Sequence, residues 1–88
     1  MTLIRLRGPL KQLAGGCADH AVDAATVREA LRALEREQPE LRGWILDERG
    51  LVRRHINVFV NGEPGDEETA LGGEDRVDVL PAISGGMR

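Results

Sequence analysis

The sequence predicts a two-layer α+β domain in which one amphipathic helix packs against one mixed β-sheet. A single segment in the first half has a clear helical pattern, and strand-like segments lie on both sides of it. The chain has 88 residues, of which 41% are hydrophobic and 31% are charged, as in ordinary soluble domains. A chain of this length forms one domain without room for a deep cavity beside its core. The expected order is β, β, α, β, β.

Two strands are expected before the helix. Residues 2–7, TLIRLR, place Leu3, Ile4 and Leu6 among arginines, which indicates a half-buried first strand. Gly8-Pro9 interrupts this strand. A weaker strand is expected at residues 18–23, after the glycine pair at 15–16, and the two strands would form a hairpin.

The helix is predicted over residues 27–37. Thr26 and Glu29 form a capping-box pattern, in which the threonine hydroxyl accepts from the Glu29 amide and the glutamate reaches back. Pro39 ends the helix, because the residue before a proline avoids the helical region. The face expected to be buried consists of Val27, Ala30, Leu31 and Leu34.

The middle of the chain contains an irregular stretch and then a strand. Leu41, Trp44 and Ile45 are expected to pack a short helical turn or a loop onto the core. Residues 53–60, RRHINVFV, alternate like a strand. Its two faces would carry Ile56, Val58 and Val60 on one side and His55, Asn57 and Phe59 on the other. Asn61-Gly62 directly afterwards is a strong signal for a tight turn.

The last strand is expected at residues 76–83, after a polar loop in which Leu71 is a buried anchor. Val77 and Val79 would face the core, and Asp78 and Leu80 would face outward. Pro81 cannot donate a backbone hydrogen bond, so we expect the strand to leave the sheet there.

Composition excludes several classes of function. The net charge of −3 argues against nucleic acid as the main partner, and Trp44 and Phe59 are the only aromatic residues available for base stacking. Cys17 is the only cysteine, so no internal disulfide can form, which fits a reducing cytoplasm. No segment has the length and hydrophobicity of a signal peptide or a membrane span. The expectation is a soluble cytoplasmic protein that binds neither nucleic acid nor membrane.

No group of residues indicates catalysis by this chain. Cys17 and His20 are the only close pair of nucleophile and base, and a lone cysteine is more often a small core residue. His20, His55 and Cys17 lack the spacing of metal ligands, and no metal site is predicted. The acidic residues at 66–68 and 74–75 lack the alternation of a calcium loop, so a solvated loop face is expected, which could steer a basic partner.

The last residues of the chain are predicted to form a tail. The expected boundaries are a folded domain at residues 1–81 and a tail at residues 82–88. The small residues Ser84, Gly85 and Gly86 make this tail slim enough to thread a narrow channel. A terminal glycine leaves its carbonyl open to attack because it has no Cβ. The alternative interpretation is a frayed terminus.

Several motifs together resemble the ubiquitin-like sulfur carriers related to MoaD and ThiS. The similar segments are VFVNG at 58–62, Leu71, GEDRV at 73–77, LPAISGG at 80–86, and the TVREALRAL helix. The resemblance covers nearly the full chain and implies a β-grasp, ubiquitin-like fold with four to five strands in a mixed sheet.

The resemblance also implies that the protein is a co-substrate rather than an enzyme. An E1-like enzyme would use ATP to adenylate the Gly86 carboxylate, and sulfur would then replace AMP to give a thiocarboxylate. Ile83, Ser84 and Gly85 would thread into partner active sites, and Phe59 and Leu80 would dock on the activating enzyme. The chain itself would bind no cofactor. An acceptor biosynthetic enzyme would receive the sulfur.

One departure from the family pattern lies after Gly86. Met87 follows it, so the Gly86 carbonyl is an amide and cannot be adenylated. Relatives with such an extension are trimmed by a JAMM-type zinc metalloprotease, which implies cleavage between Gly86 and Met87. By analogy, the pathway would be a dedicated route to cysteine, methionine or another sulfur-containing metabolite.

Two alternative functions remain open at this point. The same activated Gly86 could form isopeptide bonds with lysines of other proteins, which would make the chain a ubiquitin-like modifier. The chain could also be a non-covalent binding module that uses its sheet face, with an inert tail.

Overall fold

The structure, a computed structural model, describes residues 1–81. In chain order the elements are β1 (Thr2–Leu6), α1 (Pro9–Leu13), β2 (Asp19–Val22), α2 (Val27–Glu37), a 3₁₀ turn (Pro39–Leu41), β3 (Ile56–Val60), β4 (Glu63–Gly65) and β5 (Arg76–Pro81). The five strands form one sheet in the order β2-β1-β5-β3-β4. The central pair β1 and β5 is parallel, and the other neighbours are antiparallel. The predicted mixed sheet, and the pairing of the first two strands, are confirmed.

The hydrophobic core lies between α2 and one face of the sheet. Alternate residues of each strand point to this face, because side chains in a strand alternate sides. The core side chains with no solvent exposure are Ile4, Val27, Ala30, Leu31, Leu34, Leu41, Val77 and Val79. Leu71, the expected anchor of the loop before β5, packs against this core and is partly buried. The predicted buried face of α2 is confirmed in full.

The capping box at the start of α2 is present. The Thr26 hydroxyl accepts a hydrogen bond from the Glu29 amide at 3.2 Å. The Glu29 carboxylate reaches back to the amide of Ala25, also at 3.2 Å. Both bonds satisfy donors that a helix start otherwise leaves unpaired.

Replacing Thr26 with alanine is therefore expected to lower the free energy of unfolding by about 1 kcal/mol. The substitution removes the acceptor for the Glu29 amide and leaves the buried face of α2 unchanged. Urea unfolding followed by circular dichroism measures the change. Thr26→Ser, which keeps a hydroxyl in the same place, serves as the matched control. Equal losses for both variants would contradict a role for the cap.

Two elements were not expected from the sequence. Helix α1 is five residues long, which is too short to produce a periodic signal, and it begins at Pro9 with Leu10 as its one fully buried side chain. Strand β4 has the sequence Glu-Pro-Gly, and proline and glycine are depleted in strands. The turn before it sets the pairing, because Asn61 and Gly62 both adopt positive φ, 54° and 88°, as a tight hairpin turn requires.

The expectation that Trp44 packs on the core is wrong. Leu41 and Ile45 are buried as expected, whereas Trp44 is 51% exposed. Gly43 adopts a φ of 83°, which ends the turn after Leu41 in a conformation that few other residues reach. The chain direction changes there, and the indole lies on the surface near α1.

Pro81, where the strand was expected to leave the sheet, is the last sheet residue within the described part of the chain. It lies opposite Ile56 of β3 as the last residue of β5. On its other side, the Arg7 amide donates to the Val79 carbonyl at 3.1 Å. The next backbone N–H toward β1 would be that of residue 81. Because proline has no N–H, the pairing between β1 and β5 ends at this level. Neither helix within residues 1–81 is long and apolar enough to cross a membrane.

Candidate functional site

The sheet face opposite α2 includes the exposed side of β5, and we call it the outer face. It consists of the outward residues of the three central strands: Leu3, Arg5, Asn57, Phe59, Asp78 and Leu80. Their inward neighbours are buried in the core, which fixes the direction of each outward side chain. The sequence predicted the outward direction of Asp78, Leu80, Asn57 and Phe59 correctly.

The two predicted docking residues are neighbours on this face. In the register between β3 and β5, Phe59 lies opposite Asp78, and Leu80 lies opposite Asn57. Phe59 and Leu80 are therefore diagonal neighbours, a separation that an aromatic side chain spans. Both are partly exposed rather than buried. The structure thus places two apolar side chains together on the outer face, with Leu80 one residue before the last residue of β5.

Charged side chains surround this apolar pair. Asp78 is only 8% exposed, although it points away from the core. Its carboxylate oxygens lie 3.8 Å from Arg7 Nη2 and 3.5 Å from Arg76 Nε. Distances of this size indicate weak ion pairs that salt would screen. Their main effect is to hold positive charge beside Phe59 and Leu80, where it can steer a partner.

A second ion pair lies at the β2 edge of the same face. Arg5 Nε donates to Asp19 Oδ1 at 2.9 Å. This hydrogen bond lowers the pKa of the Asp19 carboxyl below its ordinary value. Both partners are substantially exposed, so the pair orients side chains and contributes little to stability.

The described part of the chain ends in the middle of the sheet. β5 lies between β1 and β3, and its last residue, Pro81, approaches Gly8 at the start of the loop into α1. A Cβ added to Gly8 would lie 3.8 Å from Pro81 Cδ. The predicted tail residues Ile83, Ser84, Gly85, Gly86 and Met87 lie outside the described residues.

An open apolar cleft of about 730 Å³ lies at Gly8, the residue that approaches the end of β5. Its lining combines α1 with the exposed indole, and consists of Gly8, Pro9, Lys11, Gln12, Leu13 and Trp44. This cleft is not predicted from the sequence, because neither α1 nor the exposure of Trp44 is indicated by residue type.

The remaining candidate residues do not form a catalytic site. His20 Nε2 lies 2.9 Å from the Cys17 backbone oxygen, and the Cys17 thiol donates to the Asp19 carbonyl at 3.4 Å. The imidazole is thus not placed to activate the thiol. The expectation that Cys17 fills the core is wrong, since it is exposed in the turn before β2. His55 is exposed, as expected. Within residues 1–81, no three His, Cys, Asp or Glu side chains are grouped to hold a metal ion.

The acidic loop has a structural role that its sequence did not indicate. Glu67 Oε1 accepts from the Val52 amide at 2.9 Å, and Asp66 Oδ1 accepts from the Glu68 amide at 2.9 Å. Asp75 Oδ1 accepts from Asn61 Nδ2 at 2.8 Å. Hydrogen bonds from the Gly72 amide and from Asn61 lower the pKa of Asp75. A purely solvated loop face is therefore wrong for these carboxylates, which fix the loop against its neighbours.

The fold and the site together define a class of protein. One long helix crosses a five-stranded mixed sheet, and the last strand lies at the centre of that sheet with the chain's end leaving from it. This is the β-grasp architecture of ubiquitin-like proteins, as the resemblance implied. The chain belongs to the ThiS family, whose model matches residues 4–86.

Individual relatives agree with this assignment. Small archaeal modifier protein 3 of Haloferax volcanii is 40% identical over 68 residues, which is 73% of each chain. The crystal structure of SAMP1 from the same organism superposes with a TM-score of 0.81 at 33% identity, covering 97% of this chain and 98% of that one. A chain of the Amycolatopsis orientalis BexX/CysO complex gives a TM-score of 0.85 at 25% identity, covering 94% and 97%. The relatives are thus ubiquitin-like carrier or modifier proteins.

Proposed function

We propose that this protein is a sulfur carrier whose acyl group is Gly86. An E1-like enzyme adenylates the Gly86 carboxylate with ATP, and sulfur replaces AMP to give a thiocarboxylate. That sulfur then passes to an acceptor enzyme in the biosynthesis of cysteine, methionine or another sulfur-containing metabolite. The chain contributes the acyl group and the docking surface, and its partners contribute the catalysis.

The family match supports this proposal most directly. It extends to Gly86 and stops there, so the matched region ends on the glycine that the chemistry requires. Activation makes a carboxylate, which is a poor electrophile, into an acyl-adenylate with a good leaving group. The chain also presents Leu80, five positions before Gly85, beside Phe59 of the neighbouring strand, on a face that an enzyme can cover. That CysO is found in a complex with BexX supports docking of this kind.

The proposal includes cleavage between Gly86 and Met87. Because Met87 follows, the Gly86 carbonyl belongs to a peptide bond and has no carboxylate for ATP to activate. A JAMM-type zinc metalloprotease would hydrolyse this bond. Activation then depends on prior trimming, which keeps the untrimmed chain inert.

Reconstitution with the activating enzyme, ATP and a sulfide source tests the proposal by intact mass. A chain that ends at Gly86 should gain a sulfur in place of one oxygen, whereas the 88-residue chain should stay unchanged. The untrimmed chain is the matched control, since it has the same fold and docking face. Untagged protein from its native cells should lack Met87 and Arg88. Failure of the trimmed chain to form either adenylate or thiocarboxylate would overturn the proposal.

A ubiquitin-like modifier is the second candidate, and the relatives named as small archaeal modifier proteins favour it. It uses the same activated Gly86 but transfers the acyl group to lysines of other proteins. The two functions separate by product. Gly-Gly remnants on lysines of cellular proteins would support the modifier, and a thiocarboxylate consumed by a biosynthetic enzyme would support the carrier.

A further inference from the structure

A second pocket, of about 540 Å³, lies in the segment between the 3₁₀ turn and β3. The charged residues that line it are Asp47, Arg49, Arg53 and Arg54, and we call it the arginine pocket. Three arginines thus meet at one concavity, although the net charge of the chain is −3. None of these residues has a role in the sulfur chemistry proposed above.

Hydrogen bonds hold the turn that carries these arginines in one conformation. The Gly50 amide donates to the Asp47 carbonyl at 2.9 Å, which closes the turn. Two contacts outside the pocket brace it further: Arg28 Nε donates to the Gly50 carbonyl at 3.0 Å, and the Val52 amide donates to Glu67 Oε1 at 2.9 Å. A ligand therefore meets a preformed turn and does not have to order it, which removes an entropic cost from binding.

Asp47, the one carboxylate that lines the pocket within residues 1–81, is already engaged. Its oxygens accept from the amides of Arg49 and Leu51 at 2.8 and 3.0 Å, and from Arg49 Nη2 at 2.9 Å. The hydrogen bond from Leu51, and then those from Arg49, lower the pKa of Asp47, so it is ionised near neutral pH. Asp47 thus pairs with Arg49 and leaves the charges of Arg53 and Arg54 uncompensated by the lining of the pocket.

The donors of Arg53 and Arg54 have no acceptor in the described part of the chain. Neither guanidinium takes part in an ion pair within residues 1–81. Arg53 Nε is buried there without a hydrogen-bond partner, so packing rather than an internal acceptor holds this side chain. The backbone amides of Arg54 and His55 donate to no backbone carbonyl among these residues. Unpaired donors on the lining of one pocket indicate a site for an oxygen-rich anion.

The charge of the pocket fits a phosphoryl group. Once Arg49 is paired with Asp47, Arg53 and Arg54 contribute two positive charges, and a phosphate monoester carries about −1.5 to −2 at neutral pH. The planar guanidinium presents paired donors that match phosphate oxygens. A monocarboxylate has half this charge and would leave one arginine without a counter-ion.

The size of the pocket indicates that the ligand is more than a phosphate ion. Its volume of about 540 Å³ lies within the range of about 300–1,000 Å³ found for small-molecule sites. Leu51 and Val52, both partly exposed, add an apolar wall beside the arginines. We propose that the arginine pocket binds the phosphoryl group of a small phosphorylated compound. The inference does not depend on the proposed function, because Gly86, Phe59 and Leu80 take no part in it.

NMR of the backbone amides of the isotope-labelled full-length chain tests the site. The probes are inorganic phosphate, AMP as a phosphate monoester, and acetate as a monocarboxylate, at constant ionic strength. Phosphate and AMP should shift the amides of residues 49–55 until saturation, whereas acetate should not saturate over the same range. Tighter binding of AMP identifies a phosphate monoester as the ligand, and tighter binding of phosphate identifies the free anion; either result supports the site.

Two substitutions separate the pocket from general attraction to positive charge. Arg54 is exposed, so Arg54→Gln should keep the fold while it weakens the tighter of the two phosphoryl probes by about tenfold. Arg36→Gln is the matched control, since Arg36 is an exposed arginine of α2 that does not line the pocket. This control should leave the affinity within about twofold.

Three results would overturn the inference. These are the absence of saturable shifts at residues 49–55 with both phosphate and AMP, equal weakening by the two substitutions, and binding of acetate as tight as that of phosphate. Because the titration uses neither the activating enzyme nor the tail, such a failure would leave the sulfur-carrier proposal intact. A failure of adenylation would likewise leave the phosphoryl site intact.

Discussion

Replacing Leu80 with aspartate is expected to weaken the complex between the trimmed protein and its activating enzyme by about thirtyfold or more, equivalent to about 2 kcal/mol. Leu80 and its diagonal neighbour Phe59 are the central apolar pair of the outer face, and both are partly exposed. A carboxylate at position 80 would have to be desolvated on docking, with Asp78 two residues away on the same face. Titration calorimetry with the purified activating enzyme measures the loss.

Trp44→Asp is the matched control for this experiment. Trp44 is 51% exposed and, apart from Met1, is the most exposed large apolar residue among residues 1–81. It lies at the cleft beside α1 rather than on the outer face. Its replacement should leave affinity within about twofold. If Trp44→Asp weakened binding and Leu80→Asp did not, docking would occur through the cleft, and the predicted role of the outer face would be wrong.

Replacing Leu34 with alanine is expected to lower the free energy of unfolding by about 2–5 kcal/mol. Leu34 is fully buried on the inner face of α2, where it packs against the sheet. The substitution removes apolar contacts and leaves a cavity that a packed interior cannot fill completely. Urea unfolding of the purified chain, monitored by circular dichroism, gives the value.

Glu37→Ala provides the comparison on the same helix. Glu37 is the exposed last residue of α2, so its loss should change the free energy of unfolding by no more than about 0.5 kcal/mol. Total stability of a small domain is about 5–15 kcal/mol, and the Leu34 variant should show a clear shift in its unfolding midpoint. Equal effects from the two substitutions would mean that α2 does not pack on the sheet as described.

The functional interpretation depends on sequence and structure in different ways. The proposed chemistry at Gly86 rests on the resemblance to the family, whose tail motif, a glycine pair here followed by Met87, is visible without a fold. The structure shows what surrounds the end of β5. Phe59 and Leu80 form a partly exposed pair there, and Gly8 lies next to Pro81.

The errors of the sequence interpretation also have physical causes. Helix α1 was missed because five residues give less than two turns of periodicity, and β4 was missed because Glu-Pro-Gly has no strand propensity of its own. Trp44 is expected in the core from its hydrophobicity, but between Gly43, with its positive φ, and the buried Ile45 its side chain lies on the surface. The conformations of α1, β4 and Trp44 thus depend on neighbouring residues or on a backbone angle, which the residue type alone does not specify.

By itself, the sequence determined the position of α2, the cap at Thr26, and the inward and outward alternation of β3 and β5. These features follow from local periodicity and from the conformational limits of single residues. Only the tertiary structure decided that β5 pairs in parallel with β1, and that Arg7 at the end of β1 approaches Asp78 of β5. Such relations join residues more than 60 positions apart, and they are set by packing of the whole sheet rather than by any local pattern.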